Sequence, residues 1–270
     1  MIKNNFKFIK MHASGNDFVI IDSREIQCDI QKLNFNLLSN RNKGIGFDQL
    51  AVISKSKNKN CYAHLEFWNA DGTQSNTCGN ATRCIAHILF SELKKCFLKV
   101  STPERILDCK KVSKNIISVN MGEPLLNWFD IPLSKECDTL HLPLNMDPVG
   151  TNFGNPHCTF FLNDINDCNI KELGKEIETH DLFPEKTNVQ IAEIISYDKI
   201  RMKVWERGTG VTLASGSSSC ATAVAANRRK LVGKNVKIIL DGGEVFTEWK
   251  DSGLWLSGDY NYVFNGETSF

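Results

Sequence analysis

The sequence predicts an α/β (α+β) protein built from two similar halves. Three observations carry that prediction: ten short strand-like runs spread over the whole length, only two strong helical stretches, and an internal repeat that sets one half against the other. A chain of 270 residues with 41% hydrophobic content is long enough for two cores of ordinary size.

The strand-like runs are DFVIID, DQLAVIS, AHLEFW, NIISVNM, HCTFFL, NVQIAEIIS, KIRMKVW, NVKIIL, EVFTEW and GLWLSG. Several alternate apolar and polar side chains, as at Ile200, Met202 and Val204, which marks strands with one buried face. DGG at 241–243 and KDSG at 250–253 read as hairpin connections, so antiparallel pairing is expected near the end. The first helix is expected from Ala81, where Cys84, Ile85, Ile88, Leu89 and Leu93 follow helical spacing and Lys94 and Lys95 suit the negative end of the dipole. The second is expected from about Ser218 to Leu231. Its first turns, CATAVAA, are small and apolar nearly all round, as in a buried helix, and Arg228, Arg229, Lys230 and Gly233 supply its stop.

In the repeat, FWNADGTQSNTCGN answers to VWERGTGVTLASGS. Trp68 falls on Trp205, Asn69 on Glu206, Cys78 on Ser215 and Gly79 on Gly216, all at an offset of 137. Upstream, Gly15 and Asn16 answer to Gly154 and Asn155 at an offset of 139. Each half therefore carries a Gly-Asn turn, a strand, a polar loop and a helix start. The boundary is expected near VNMGEP at 119–124, giving an N-terminal domain of residues 1–122 and a C-terminal domain of residues 123–258.

Composition narrows the function. A net charge of +1, from 32 basic and 31 acidic residues without a basic block, lacks the electrostatic footprint of a nucleic-acid binder. No run approaches the ~20 apolar residues of a membrane span, and MIKNNFKFIKMHASGNDF has no apolar stretch of signal-peptide length. A soluble cytoplasmic protein is the simplest expectation. The ten cysteines are scattered, as expected of buried reduced thiols rather than a disulfide framework. Neither Cys78 with Cys84 nor His157 with Cys158 has zinc-finger spacing, so no metal is expected.

Each half presents a reactive-type side chain, Cys78 or Ser215, just before a glycine at a helix N-terminus. Such a terminus offers unpaired N–H donors and the positive end of the helix dipole, and so attracts an anion. Two such starts gripping one carboxylate, with residues 78 and 215 on either side of its α-carbon, give a specific chemistry: one group removes the α-proton, the other returns a proton on the opposite face, and the centre inverts. The bland alternative for Cys78 is a half-buried thiol. For GSSS it is a phosphate site, although no GxxxxGK[ST] pattern is present.

The motifs KMHASGNDFVIID, NKGIGFDQL, NADGTQSNTCGNATRC, FGNPHC, TNVQ and WERGTGVTLASGSSSCATAV run in order from end to end, and with them the chain resembles the diaminopimelate epimerases, cofactor-independent amino-acid racemases and epimerases. The resemblance implies two pseudo-symmetric domains, each a mixed, strongly curved sheet round a central helix, with the active site in the cleft between them and the last segment, 259–270, returning to the first domain. It implies conversion of L,L- to meso-diaminopimelate in the pathway of lysine and bacterial cell wall, no cofactor, and a homodimer.

Carried over by position, Cys78 resembles one catalytic acid or base, Ser215 stands at the position of the second, and His157 and Glu206 resemble the other members of the catalytic set. Asn16, Gln49, Asn69, Asn155, Asn188, Glu206 and Arg207 resemble the substrate-binding set, with Arg207 on the distal carboxylate and Glu206 near the α-amino group. Gly79, Asn80, Gly216 and Ser217 match the two helix starts that cradle the α-carboxylate, and His157 the histidine beside the thiols. Taken singly, the asparagines read equally well as turn or capping residues, Glu206 and Arg207 as a solvated pair, and His157 as a core histidine.

Ser215 is the main departure, because the family pattern has cysteine there. A serine hydroxyl is weak at its free pKa and normally needs an adjacent base. Cys220 does not replace it, since it lies five residues on, inside the helix, where the pattern has its own cysteine. Three readings follow: a Cys-to-Ser variant made to trap substrate or avoid oxidation, a natural sequence that works slowly or differently, or a chain that binds without turnover. Beside the epimerase stand a one-base isomerase or dehydratase of the proline racemase type, and a non-catalytic amino-acid-binding homologue.

Overall fold

The structure, a computed structural model, describes residues 5–25, 29–75 and 78–269. Cys28 lies outside the described residues. The chain forms two compact units, one of residues 1–119 with 258–270, the other of residues 120–257.

Along the first unit run β1 (Asn5–Ala13), β2 (Asn16–Asp22), α1 (Phe35–Leu38), β3 (Gln49–Ser54), β4 (Ala63–Asn69), β5 (Gln74–Ser75), α2 (Gly79–Leu93), β6 (Phe97–Ser101), β7 (Ile106–Lys111) and β8 (Ile116–Asn120). Along the second run β9 (Val149–Asn152), β10 (Pro156–Leu162), α3 (Ile170–Glu178), β11 (Asn188–Ser196), β12 (Lys199–Glu206), β13 (Gly210–Thr212), α4 (Gly216–Arg228), β14 (Asn235–Leu240), β15 (Gly243–Lys250) and β16 (Gly253–Asp259). A final strand, β17 (Asn261–Ser269), pairs antiparallel with β1.

The repeat seen in the sequence is a repeat of pairings. β1–β2 and β9–β10 are antiparallel, β2–β3 and β10–β11 parallel, and β3–β4 and β11–β12 antiparallel. The series continues with β4–β5 and β12–β13 antiparallel, β4–β6 and β12–β14 parallel, and β6–β7 and β14–β15 antiparallel. Register agrees as well: Phe18 lies opposite Gln49, and His157 opposite Asn188, which preserves the offset of 139.

Each unit packs its sheet on a buried helix whose first residues are small. From Gly79 through Ala86 every residue of α2 is buried, against β1, β2, β6 and β7. In α4, Gly216 and Ser218 through Ala226 are buried, against β9, β10, β11, β14 and β15. A helix enclosed on all sides needs side chains short enough for strands to approach, which is why α4 reads as small and apolar nearly all round.

Four expectations need adjustment. The helices begin at Gly79 and Gly216, two residues before the expected starts, because the carbonyls of Cys78 and Ser215 already accept the first helical amide bonds, from Thr82 and Ser219. The second ends at Arg228, not Leu231, with Lys230 at a φ of 60°. Helix α3 is not legible as a strong helical stretch, because Gly174 interrupts its apolar stripe. Of the described cysteines, 84, 109, 158 and 220 are buried, 61, 78, 137 and 168 are partly exposed and 96 is exposed, so burial accounts for only part of them. Among the described residues no helix is long and apolar enough to cross a membrane.

Gly174 earns its place by contact. A Cβ there would lie 2.3 Å from Cγ of Trp205, whose indole donates to Glu178 at 2.6 Å, while the other Glu178 oxygen accepts from the Gly208 amide at 2.9 Å. Helix α3 thus fixes the turn that follows Glu206 and Arg207. Gly174→Ala is expected to destabilise the protein by about 1–3 kcal/mol despite its better helix propensity. Urea unfolding checks this, and a gain in stability would contradict the packing.

Candidate active site

In the first unit the site residues gather at one end of the sheet, where β2 and β3 begin and β4 ends. Cys78 is the N-cap of α2, with extended backbone (φ −146°, ψ 101°), and its Sγ accepts from the Ala81 amide at 3.4 Å. Its carbonyl accepts from both the amide (2.9 Å) and the hydroxyl (2.8 Å) of Thr82. Helix geometry leaves the first-turn amides of Gly79 and Asn80 without intrahelical acceptors, the arrangement that receives an anion.

Two amide pairs flank that turn. Asn80 Nδ2 donates to Asn16 Oδ1 at 3.2 Å, and Asn16 Nδ2 donates to Asp48 Oδ2 at 2.9 Å. Gln49 Nε2 donates to Asn69 Oδ1 at 2.9 Å, and Asn69 Nδ2 to Thr73 Oγ1 at 3.0 Å. An ionic cluster stands behind Asn16. Arg41 forks onto Asp17 at 2.8 and 2.9 Å and reaches Asp48 at 2.8 Å, while Lys10 bonds Asp17 and the Gly46 carbonyl. Burial alone would lift the Asp17 carboxyl, but the hydrogen bonds from Arg41 and Lys10 and their charges outweigh it and hold it at about 2. Sequence reasoning did not find this cluster, since its members lie in four separate segments and match no spacing rule.

The second unit repeats the helix start. Ser215 is the N-cap of α4 (φ −141°, ψ 122°), and its carbonyl accepts from the amide (3.1 Å) and hydroxyl (2.8 Å) of Ser219. Ser219 stands to Ser215 as Thr82 stands to Cys78. One difference remains: the Ser215 hydroxyl caps no amide of the helix, whereas Cys78 Sγ does. Ser215 and Gly216 are buried and Ser217 is partly exposed.

Asn155, His157 and Asn188 lie on β10, β11 and the turn before them. Asn188 Nδ2 donates to the Pro156 carbonyl at 2.9 Å, and its Oδ1 accepts from the Arg207 amide at 3.0 Å. Glu206 Oε1 accepts from Thr212 Oγ1 at 2.6 Å, and the exposed Arg207 side chain donates to the Glu185 carbonyl at 2.9 Å. His157 is fully buried, with Nε2 2.9 Å from Asn155 Oδ1 and Nδ1 3.1 Å from Gln190 Nε2. Burial, with the Arg207 charge, pushes its pKa down to about 3, so it is neutral wherever the protein is folded near neutral pH. Gln190, Thr212 and Ser218, which hold these groups, were missed; all three fall inside recognised motifs, but nothing in those motifs marks them as contacts.

Burial raises the thiols of Cys84 and Cys158 above the ordinary range, so neither supplies a thiolate near neutral pH. Cys78 differs from both in being partly exposed and seated at a helix N-terminus. Among the described residues no three His, Cys, Asp or Glu side chains gather as a metal site.

The fold is shared with a solved PhzF-family phenazine biosynthesis protein from Bacillus anthracis, with a TM-score of 0.69 at 14% identity over 98% of this chain and 99% of that one. That likeness defines the class, a doubled α/β fold with a helix start at the heart of each half. The sequence decides the family. The profile described as diaminopimelate epimerase matches residues 8–126 and 150–263. A diaminopimelate epimerase from Wolbachia sp. subsp. Drosophila simulans (strain wRi) is 42% identical over 97% of this chain and 99% of its own length. Another, from Wolbachia sp. subsp. Brugia malayi (strain TRS), is 41% identical over 94% and 97%. The chain belongs to the diaminopimelate epimerase family.

The neutral His157 has a measurable consequence. Its pKa is lower folded than the ordinary 6.5, so between these values the unfolded chain binds the extra proton, and stability present above pH 6.5 drains away as pH falls. Relative to His157→Gln, the wild-type protein should lose about 1.4 kcal/mol per pH unit between pH 6 and 4. Urea midpoints of both proteins at pH 7, 5 and 4 test this; a constant difference would mean that His157 titrates normally.

Proposed function

We propose that this chain interconverts L,L- and meso-diaminopimelate by moving the α-proton, with Cys78 on one face of the α-carbon and Ser215 on the other. The observation that carries the reading is the matched placement of residues 78 and 215, each the extended N-cap of a helix whose first amides await an anion. Family membership supplies the substrate, since the relatives at about 40% identity carry that activity in their names. A one-base isomerase or dehydratase is not favoured: a solved probable proline racemase from Agrobacterium radiobacter shares only the fold, at 10% identity.

In this reading the first-turn amides at Gly79, Asn80, Gly216 and Ser217 receive the α-carboxylate. Asn16, Gln49, Asn69, Asn155 and Asn188 orient the substrate, Glu206 receives the α-ammonium, and Arg207 binds the distal carboxylate. The carbanion's charge is carried by fixed dipoles and hydrogen bonds of the chain itself, without a cofactor. The Cys78 thiolate takes the α-proton and becomes a thiol. A proton from the Ser215 hydroxyl then completes inversion, or Cys78 returns its own proton and configuration is kept. A hydroxyl is a far weaker acid than a thiol near pKa ~8.5, so return on the Cys78 side dominates and inversion is slow. We further propose that the working form is a cytoplasmic homodimer, as is usual for the proteins it resembles.

The test is α-proton exchange in heavy water with L,L- and meso-diaminopimelate, following deuterium uptake and isomer conversion together. Wild-type protein should exchange deuterium faster than it inverts, and Cys78→Ala should abolish exchange. Ser215→Cys should raise inversion by about 10²–10⁴-fold. A folded Ser215→Cys protein with an unchanged, negligible inversion rate would overturn the two-sided assignment.

A further inference from the structure

Gln190 is fully buried on β11, and its amide meets three partners. Nε2 lies 3.1 Å from His157 Nδ1 and 3.1 Å from Ser218 Oγ, and Oε1 accepts from Thr159 Oγ1 at 3.1 Å. Among side chains of this shape, only a carboxamide offers one acceptor and two donors in that arrangement.

The fold itself does not require these polar groups. At the equivalent positions of the first unit, offset by 139 in the strands and 137 in the helix, His157, Gln190 and Ser218 are replaced by Phe18, Ala51 and Ala81, each fully buried. The same pairing and the same helix start are thus built there from apolar side chains. Four buried polar residues, counting Thr159, are costly to place inside a core unless all are satisfied, and here they end at a single partly exposed group, Asn155.

We propose that Gln190 is a positioning residue of the site: its amide donates to His157 Nδ1, fixes the neutral Nε2–H tautomer, and through that N–H locks the Asn155 amide for substrate. With Asn155 Oδ1 committed to His157, the group left to meet a ligand is the Nδ2 donor, the polarity a substrate carboxylate needs. The bond to Ser218, third residue of α4, holds the helix start in the same frame. Burial, with the Arg207 charge, keeps the ring neutral, which leaves one ring nitrogen bare to accept from Gln190. His157 then acts through Asn155 and carries no proton to or from the α-carbon. That Asn155 meets substrate rests on the proposed epimerase reading; the tautomer lock does not.

The experiment reads the two separately. Ring nitrogen NMR, with the His157 signals among the six histidines assigned by their loss in His157→Gln, should show Nε2 protonated and Nδ1 bare in the wild-type protein from pH 8 to 5. In Gln190→Glu, a carboxylate oxygen replaces the donor, and His157 should be protonated on both nitrogens at pH 7. Gln190→Met, which keeps volume, should lose the single tautomer and raise KM for α-proton exchange about ten-fold, with kcat changed less than KM. The triple variant His157→Phe, Gln190→Ala, Ser218→Ala copies the first unit and should fold. The proposal is overturned if the wild-type ring is protonated on Nδ1, if Gln190→Glu leaves His157 neutral, or if Gln190→Met keeps both tautomer and KM. Absent exchange in all proteins with the predicted ring signals would instead sink the epimerase reading and leave the lock standing.

Discussion

The structure turns on one backbone carbonyl in each half, that of Cys78 and that of Ser215. Each is gripped twice by the residue four positions on, through amide and hydroxyl, so that the chain leaves its extended path and enters a helix at one defined residue. A helix start buried in a sheet is an electrostatic burden, since its first amides cannot reach water. Small side chains, strands close on every side, and amide side chains arrayed at the strand ends all follow from lodging that start in a core. The same unfulfilled amides make the place useful.

How far the sequence exposes this depends on whether a residue acts through its neighbours in the chain or through distant ones. The helix starts are legible because cap, glycine and small residues are contiguous and occur twice. The strands are legible where alternation is strict, as in KIRMKVW. Helix α3 is hidden by Gly174, whose reason is a tryptophan 31 residues away. Asn16, Gln49 and Asn155 are visible as motif members, and so are Asp48 and Gln190, yet nothing in the linear pattern marks Asp48, Gln190 or Arg41 as the groups that aim the side chains around them across strands. Linear pattern finds the groups that face a ligand more readily than the groups that orient them.

The two halves share backbone and diverge in chemistry. Cys78 accepts from the helix amide at 3.4 Å, a contact that favours negative charge on sulfur, while the hydroxyl of Ser215 sits in the same place without that bond. Beneath the second start lie His157, Gln190 and Ser218; beneath the first lie Phe18, Ala51 and Ala81. Duplication with later divergence of contacts lets one architecture present two unlike faces.

The antiparallel union of β1 with β17 joins residues 5–13 to residues 261–269. Among the described strands no other pairing spans so long a loop, so closing it carries the largest loop-closure entropy of those pairings. On a ribosome β1 leaves the tunnel well before residues 261–269, so it must wait for β17 before its second neighbour exists. The second unit, continuous from 120 to 257, is complete before then. Biosynthesis therefore favours assembly in reverse order, with the later half settled while the earlier one still holds an open sheet edge that a misdirected strand can occupy.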